Sequence, residues 1–441
     1  MSFVARPGNS PTWADDLPEG WTADWVKWSV AFASTKPTDE DTEKLPYISN
    51  EDIASWTGKM LKEAPEPADK EGRVFQRDDV LFNKLRPYLA KVYHADFDGI
   101  SSGELLNLRT SDRVLPRFLF HVLSSYPFVD IINSESFGTK MPRADWETVG
   151  HQPLPLPDLD TQRRIARYLD EKTARIDALI EKKRALLDRL AEKRQALITR
   201  AVTRGLNPSA PLKDSGIDWL GKVPAHWEVK KLRRVRKYLT SGSRDWAAYY
   251  ADEGTPFIRM TNVTKQGVEL DLSDLRFVNL DGETEGTRTA IQAGDILITI
   301  TAELGSVAIA RKNVEGAFIN QHLALFRTDR DLCEPDFLVN FLSTDVARAQ
   351  FFVNGQGGTK QGLGFEQVNN VWVAFPPIEE QLKIGDHCAA IWRTYEAVQR
   401  PLENSVEKLT EYRAALVTAA VTGKIKALLT ARTPAALMQE A

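Results

Sequence analysis

The chain has 441 residues, 57 Lys and Arg against 61 Asp and Glu, and 42% hydrophobic residues, enough for roughly two to three packed domains. The net charge of −4 excludes a nonspecific polyanion binder but leaves room for local basic patches. No run approaches the ~18 apolar residues of a spanning helix, MSFVARPGNS lacks the core of a secretion signal, and Cys333 and Cys388 form no CxxC; a cytoplasmic protein without a disulfide framework or zinc site is expected.

In chain order, Leu17-Pro18-Glu19-Gly20-Trp21 opens a mixed α/β stretch. Asp79-Val80-Leu81-Phe82 and Leu89-Ala90-Lys91-Val92 read as short strands around the turn-favouring Arg86-Pro87, and Arg117 to Leu123 reads as a helix. Gly138-Thr139-Lys140 follows. Then Pro153-Leu154-Pro155-Leu156-Pro157 imposes extended backbone and blocks an early helix start. From Asp160 to about Arg204 long side chains predominate, which predicts a helix of about 44 residues, roughly 65 Å if unbroken. The charge changes sign here: residues 1–150 carry 17 Lys and Arg against 24 Asp and Glu, residues 161–204 carry 13 against 6.

The same order then repeats. Val223-Pro224-Ala225-His226-Trp227 opens a second stretch, with strands expected at Gly294-Asp295-Ile296-Leu297-Ile298 and Val307-Ala308-Ile309-Ala310 and a helix from Pro335 to Leu342. Gly358-Thr359-Lys360, Phe375-Pro376-Pro377 and a helical run from Glu379 to about Gly423 follow. An offset of 219 residues superposes Pro157 on Pro376, Gln162 on Gln381, Ile165 on Ile384, Arg194 on Arg413 and Thr199 on Thr418 without a gap. So long a period is no solenoid; it predicts two similar units.

A heptad seam runs through Leu169, Thr173, Ile176, Ile180, Lys183, Leu187, Leu190, Arg194, Leu197 and Ala201, and its copy through Cys388, Trp392, Tyr395, Gln399, Leu402, Val406, Leu409, Arg413, Leu416 and Ala420. Each stripe needs a partner in water, and the other copy is the nearest; the short link between the first helix and the second globular stretch makes the pair antiparallel. Pro401 is expected to kink or interrupt the second helix at Gln399–Arg400. The expected fold is α+β: two globular mixed α/β domains (residues 1–157 and 206–377) separated by two long antiparallel helices (158–205 and 378–425) forming a coiled-coil spacer. The whole is a pseudo-two-fold internal repeat with a C-terminal tail at 426–441.

Several runs together resemble one family: Asp160-Thr161-Gln162-Arg163-Arg164-Ile165 and Glu379-Glu380-Gln381-Leu382-Lys383-Ile384 after their prolines, and the helix endings Leu197 to Gly205 and Leu416 to Gly423. Pro-x-x-Trp at both openings and Leu81-Phe82-Asn83-Lys84-Leu85-Arg86-Pro87-Tyr88-Leu89 add to them. In this order and duplication the chain resembles the specificity (S) subunits of type I restriction-modification systems. The resemblance implies two target recognition domains, each reading one half of a bipartite double-stranded DNA site, with the helices setting the gap. It implies docking of two modification (methyltransferase) subunits and, through them, restriction (translocase and nuclease) subunits. No cofactor is implied for this chain; S-adenosylmethionine belongs to the modification partners, and ATP with Mg²⁺ to the restriction partners.

Base edges are read mainly by Arg, Lys, Asn and Gln, and phosphates are held by Ser, Thr and backbone amides. Loops of that composition make Lys84, Arg86, Tyr88, Lys140 and Arg143 the candidate DNA contacts of the first domain. Arg259, Asn262, Thr299, Thr301, Asn320, Gln321, His322, Lys360 and Gln361 are those of the second. Each also suits an ordinary solvated surface. So do Lys230 to Lys237 and the Arg and Lys face of the first helix, and Trp13, Trp21, Trp25 and Trp28 suit core or interface anchors. No catalytic centre is expected: Asn207-Pro208-Ser209-Ala210 lacks the second Pro and the aromatic of an amino-methyltransferase loop, Gly355 to Lys360 has the wrong spacing for a phosphate loop, and no HExxH occurs. The competing reading is a non-catalytic two-lobed adaptor between proteins that never reads DNA.

Overall fold

A computed structural model describes residues 16–63, 65–67, 71–138, 140–244, 246–265, 267–279, 289–353 and 362–429. The chain divides into two compact units, one made of residues 1–184 with 404–441 and the other of residues 185–403. Lys360, Gln361 and Trp13 lie outside the described residues, as does Thr139.

In the first unit, β1 (Thr22–Trp25) pairs antiparallel with β9 (Pro153–Leu156), so the proline run is a strand edge as well as a helix stop. β2 (Val30–Phe32), β5 (Val80–Asn83), β6 (Val92–His94) and β8 (Leu105–Thr110) form an antiparallel sheet in the order β2-β8-β5-β6. β3 (Tyr47–Ile48), β4 (Gly72–Phe75) and β7 (Gly99–Ser102) make a smaller sheet in which β3 and β7 are parallel. All four residues of β5 are buried, as its unbroken apolar run requires of a strand covered on both faces. Helix α1 (Asp39–Lys44) is peripheral; α2 (Pro116–Leu123), α3 (Tyr126–Ser134) and α4 (Trp146–Gly150) close the domain. One expectation fails here: Leu89 to Val92 is not a strand. Pro87–Leu89 form a 3₁₀ turn bracketed by Arg86 and Ala90 at φ +53° and +45°, and extended backbone resumes only at Val92.

The second unit repeats this plan. After a hairpin of β10 (Leu212–Asp214) and β11 (Lys222–Pro224), β12 (Glu228–Lys231) pairs with β21 (Trp372–Phe375) as β1 pairs with β9. β13 (Arg236–Ser241), β17 (Ile296–Thr299), β18 (Val307–Ile309) and β20 (Leu323–Thr328) take the order β13-β20-β17-β18, the order of the first unit's sheet. β14 (Tyr250–Ala251), β15 (Thr255–Ile258), β16 (Arg276–Val278) and β19 (Phe318–Ile319) form the smaller sheet, again with one parallel pair, β15 and β19. Helices α6 (Pro335–Leu342), α7 (Asp345–Val353) and α8 (Phe365–Asn369) match α2, α3 and α4. A bidentate pair on a buried aspartate recurs too: Arg109 donates to Asp79 at 2.8 and 2.7 Å, and Arg327 to Asp295 at 2.7 Å twice.

Two long helices, α5 (Leu159–Arg204) and α9 (Ile378–Val421), contribute to both units. Within the first unit their segments run antiparallel: Arg164 Nε donates to Leu428 O at 3.2 Å and Arg413 Nε to Asp177 at 2.7 Å. Leu169, Ile176 and Ile180 share its apolar core with Val406, Leu409 and Leu416, and α10 (Lys426–Leu429) adds Leu428. Within the second unit the segments are again antiparallel, with Arg194 on Gln399 at 3.3 Å and Gly205 beside Glu380. There Ile198, Ala201 and Val202 share a core with Ile384, Cys388, Ile391, Trp392 and Tyr395, while Leu187, Leu190 and Leu402 are half-buried.

Two helix residues depart from the sequence reading, and a third, Gly385, adds to it. Leu197 is 38% exposed and Ile198 fully buried. A strict heptad step drifts by ~20° per repeat on a straight α-helix, hence about 80° over the four repeats from Leu169, and the neighbouring residue takes over the inward direction. Pro401 does not interrupt α9, which continues to Val421 with Pro401 exposed; a lost N–H and local crowding are outweighed by the packing of the flanking turns. Gly385 lies inside α9, where a Cβ would come 3.1 Å from Asp336 Cβ, so the glycine permits close approach to α6.

The repeated glutamine fixes each helix start. Gln162 accepts from Leu115 N at 2.9 Å and donates to Arg113 O at 2.9 Å and Pro157 O at 3.0 Å. Gln381 does the same with Glu334 N, Leu332 O and Pro376 O at 2.9, 3.2 and 2.9 Å. Each buried amide thereby satisfies backbone groups that would otherwise lie unpaired. The helix ends match as well: Gly423 (φ +70°) packs on Pro18 and Trp21, and Gly205 (φ +72°) on Pro224 and Trp227, which gives the Pro-x-x-Trp openings their role.

Candidate nucleic-acid interface

In the first unit, main-chain geometry brings two loops together. Asn83, buried at the end of β5, donates from Nδ2 to Leu85 O at 2.6 Å and accepts from Leu85 N at 3.2 Å, turning the chain outward. Arg86 N then donates to Pro142 O at 2.7 Å, and Ala144 N to Lys84 O at 2.9 Å. The partner loop is a hairpin closed by Phe137 N to Arg143 O at 3.0 Å and Arg143 N to Phe137 O at 2.9 Å, with Gly138 at φ +95°. Lys84, Arg86, Tyr88, Lys140 and Arg143 therefore occupy one place. Arg86 and Lys140 are exposed, Tyr88 is 44% exposed, Lys84 is half-buried, and Arg143 is tied to Glu104 at 2.7 Å. Sequence reasoning missed Phe137 and Met141 on the same hairpin, 59% and 48% exposed.

The second unit sorts its candidates more severely. Thr301 Oγ1 bonds His322 Nδ1 at 2.7 Å, Gln321 Nε2 bonds His322 Nε2 at 3.1 Å, and His322 N donates to Asn320 Oδ1 at 3.2 Å, so these four form a linked surface group. The Arg259 turn lies beside it, since Asn320 N donates to Ile258 O at 3.2 Å. Two candidates must be withdrawn. Thr299 is fully buried, its hydroxyl donating to Glu303 O and accepting from Ser306 N at 2.9 Å. Asn262 is 2% exposed, accepts from Arg259 N at 2.8 Å and donates to Asp271 O at 2.7 Å. It ties a turn as Asp52 does in the first unit, where Ser49 N donates to Asp52 at 2.8 Å; the shared spacing after a strand was the available sign. Arg259 is held by Asp274 at 2.7 Å, and this hydrogen bond keeps the Asp274 carboxyl below its ordinary range.

Other basic groups are partly committed. Lys231 bonds Asn370 at 3.2 Å and lies over the Trp372 ring, and Arg236 bonds Asn369 at 2.9 Å, while Arg233, Arg234 and Lys237 are exposed. On α5, Arg163 pairs with Asp160 at 2.5 Å, and Lys182 and Arg184 are exposed. Trp21 packs against the first core, but Trp28 is exposed and meets Trp25 edge-on. Among the described residues no group of three or more His, Cys, Asp and Glu is placed to hold a metal ion, and no helix is long and apolar enough to cross a membrane.

The model of the type I restriction modification DNA specificity domain matches residues 31–189 and 224–407, one segment beginning in each duplicated domain and running into the long helix after it. The chain belongs to this family. Among curated relatives, the EcoBI specificity subunit of Escherichia coli is 24% identical over 76% of this chain and 72% of its own. The MjaVIII specificity subunit of Methanocaldococcus jannaschii is 22% identical over 93% and 94%. A chain solved in work on complex assembly and conformational transition of the type I R-M system matches with a TM-score of 0.68 and 22% identity, over 92% of this chain and 98% of that one, which shows a shared fold. As a type I specificity subunit, the chain serves DNA sequence recognition within a restriction-modification complex.

Proposed function

We propose that each unit reads one half of a bipartite duplex site and that α5 and α9 act as a coiled-coil spacer setting the gap between the halves. In this reading the helices and adjoining domain surfaces dock two modification subunits, and restriction subunits join through these. The chain itself is non-catalytic: S-adenosylmethionine is used by the modification partners, and ATP with Mg²⁺ by the restriction partners.

One observation carries this reading: the same sheet order, glutamine anchor and glycine helix end occur twice, on two helices that each contribute to both units. A duplicated reader on a shared pair of stiff elements suits a target in two parts, and exposed loops on a rigid scaffold suit base reading. The loop groups around Arg86 and Lys140 and around His322 are the DNA-facing surfaces.

Footprinting with the modification partner present should protect two short motifs separated by an indifferent gap. Adding whole turns to both helices should change the gap and leave the half-sites intact. Uniform protection of any duplex, or no protection at all as a protein-only adaptor would give, sinks the reading.

A further inference from the structure

The hairpin at Phe137–Arg143 carries chemistry that hydrogen-bonding readers do not explain. Phe137 and Met141 are among the more exposed large apolar side chains of the described residues, and both stand on a hairpin that also carries Lys140 and Arg143. Apolar side chains of this size bury readily; here both remain about half exposed or more, at 59% and 48%. Their backbone is fixed. The Phe137–Arg143 hydrogen-bonded pair closes the hairpin, and Arg86 N to Pro142 O clamps it to the turn bearing Tyr88. A Cβ at Gly138 would meet Met141 O at 3.3 Å, so the tip is folded tightly. Two hydrophobes are thus presented from a hydrogen-bonded hairpin, flanked by exposed Arg86 and Lys140.

We infer that Phe137 and Met141 are apolar base readers, packing against thymine 5-methyl groups in the half-site served by the first unit, while Arg86 and Lys140 hold the flanking phosphates. The inference rests on the reading that this unit faces DNA. The charge beside the hydrophobes selects the occupant: exposed cations complement a phosphate backbone, and among the groups on base edges in the major groove only the thymine methyl is apolar. Neither side chain reads bases through hydrogen bonds, so each discriminates by methyl burial and by desolvation.

The test uses the full chain assembled with its modification partner and measures binding and methylation on the cognate duplex. Replacing thymine by uracil, one position at a time in the first unit's half-site, should weaken wild-type binding about 4-fold at the position contacted, as one buried methyl group implies. Phe137→Ala combined with Met141→Ala should weaken binding to the thymine duplex similarly, become indifferent to the uracil change, and relax the methylated consensus at that position only. Both side chains are exposed, so thermal unfolding should be unchanged. The inference is overturned if the variant keeps the full uracil penalty, if the half-site holds no thymine on either strand, or if the variant instead loses its partner subunit. Failure of wild type to select any sequence would sink the function proposed above; a selective wild type with an unaltered variant would sink this inference alone.

Discussion

The two seam arginines, Arg413 in the first unit and Arg194 in the second, are equivalent in the repeat and are treated in opposite ways. Arg413 is held by Asp177 at 2.7 and 3.3 Å and by Trp56 O at 3.1 Å, with both partners largely buried. Among the described residues Arg194, 8% exposed, pairs with no carboxylate; it stacks over the Trp392 ring at 4.2 Å, donates one long hydrogen bond from Nη1 to Gln399 Oε1 at 3.3 Å, and leaves Nε without a partner. Burial pushes its guanidinium below the usual range. The neighbours diverge in the same sense. His121 of the first unit bonds Asp170 at 2.8 Å, with Arg117 on the same carboxylate, whereas the second unit has Asn340, which accepts from Trp392 Nε1 at 2.9 Å, and Ala389 in place of Asp170. One fold is therefore locked to its helices by paired charges in one unit and by aromatic and amide groups in the other. Shared backbone architecture does not dictate how polarity is satisfied beneath it.

The largest effect that sharpens this contrast is expected from Asp177→Leu, which strands Arg413 and should cost about 3 kcal/mol or more, seen in urea unfolding followed by hydrogen exchange in α2 and α5. A neutral outcome would break the contrast at once. Acid should come next. Burial pushes His121 below its ordinary 6.5, and the Asp170 bond does not reverse it. Burial also pushes the Asp170 carboxyl up, but His121 and Arg117 outweigh it and leave it below 3.8. Both groups have depressed folded values, so their stabilisation is full above about pH 6.5 and is lost as pH falls, first through His121 and later through Asp170. Exchange in α2 should accelerate below about pH 6, by at most about 1.4 kcal/mol per pH unit, while α6, which carries Asn340 where α2 has His121, shows no such acceleration; His121→Gln should remove the first phase. The smallest change is expected from Arg194→Met, which removes an uncompensated buried charge and should fall within about 1 kcal/mol of wild type or above it. A loss as large as that of Asp177→Leu would show the two arginines to be alike after all.

The repeat, the helices and the sheet strands at Val80 and Ile296 were legible because period and burial leave marks in local sequence. Gln162 and Gln381 were visible as a repeated letter, but their work on backbone groups some 47 and 49 residues away required the fold. Asn262 and Thr299 wore the letters of base readers and proved to be turn fasteners, because residue type does not encode exposure. Phe137 and Met141 were not singled out at all, because nothing in their local sequence shows that the hairpin turns them outward. Leu197 was misplaced by a quarter turn, a geometric drift that a fixed seven-step count accumulates silently.

The first unit is completed by residues 404–441, which follow the whole of the second in the chain. During synthesis the second unit is a continuous segment that can fold as it leaves the ribosome. The first must hold Ile165, Leu169, Ile176 and Ile180 uncovered until Leu416, Val417 and Val421 have been made. A nascent chain stopped before Leu416 would therefore present an unfinished apolar stripe, and the closing step of the first unit waits for the segment that follows residue 403.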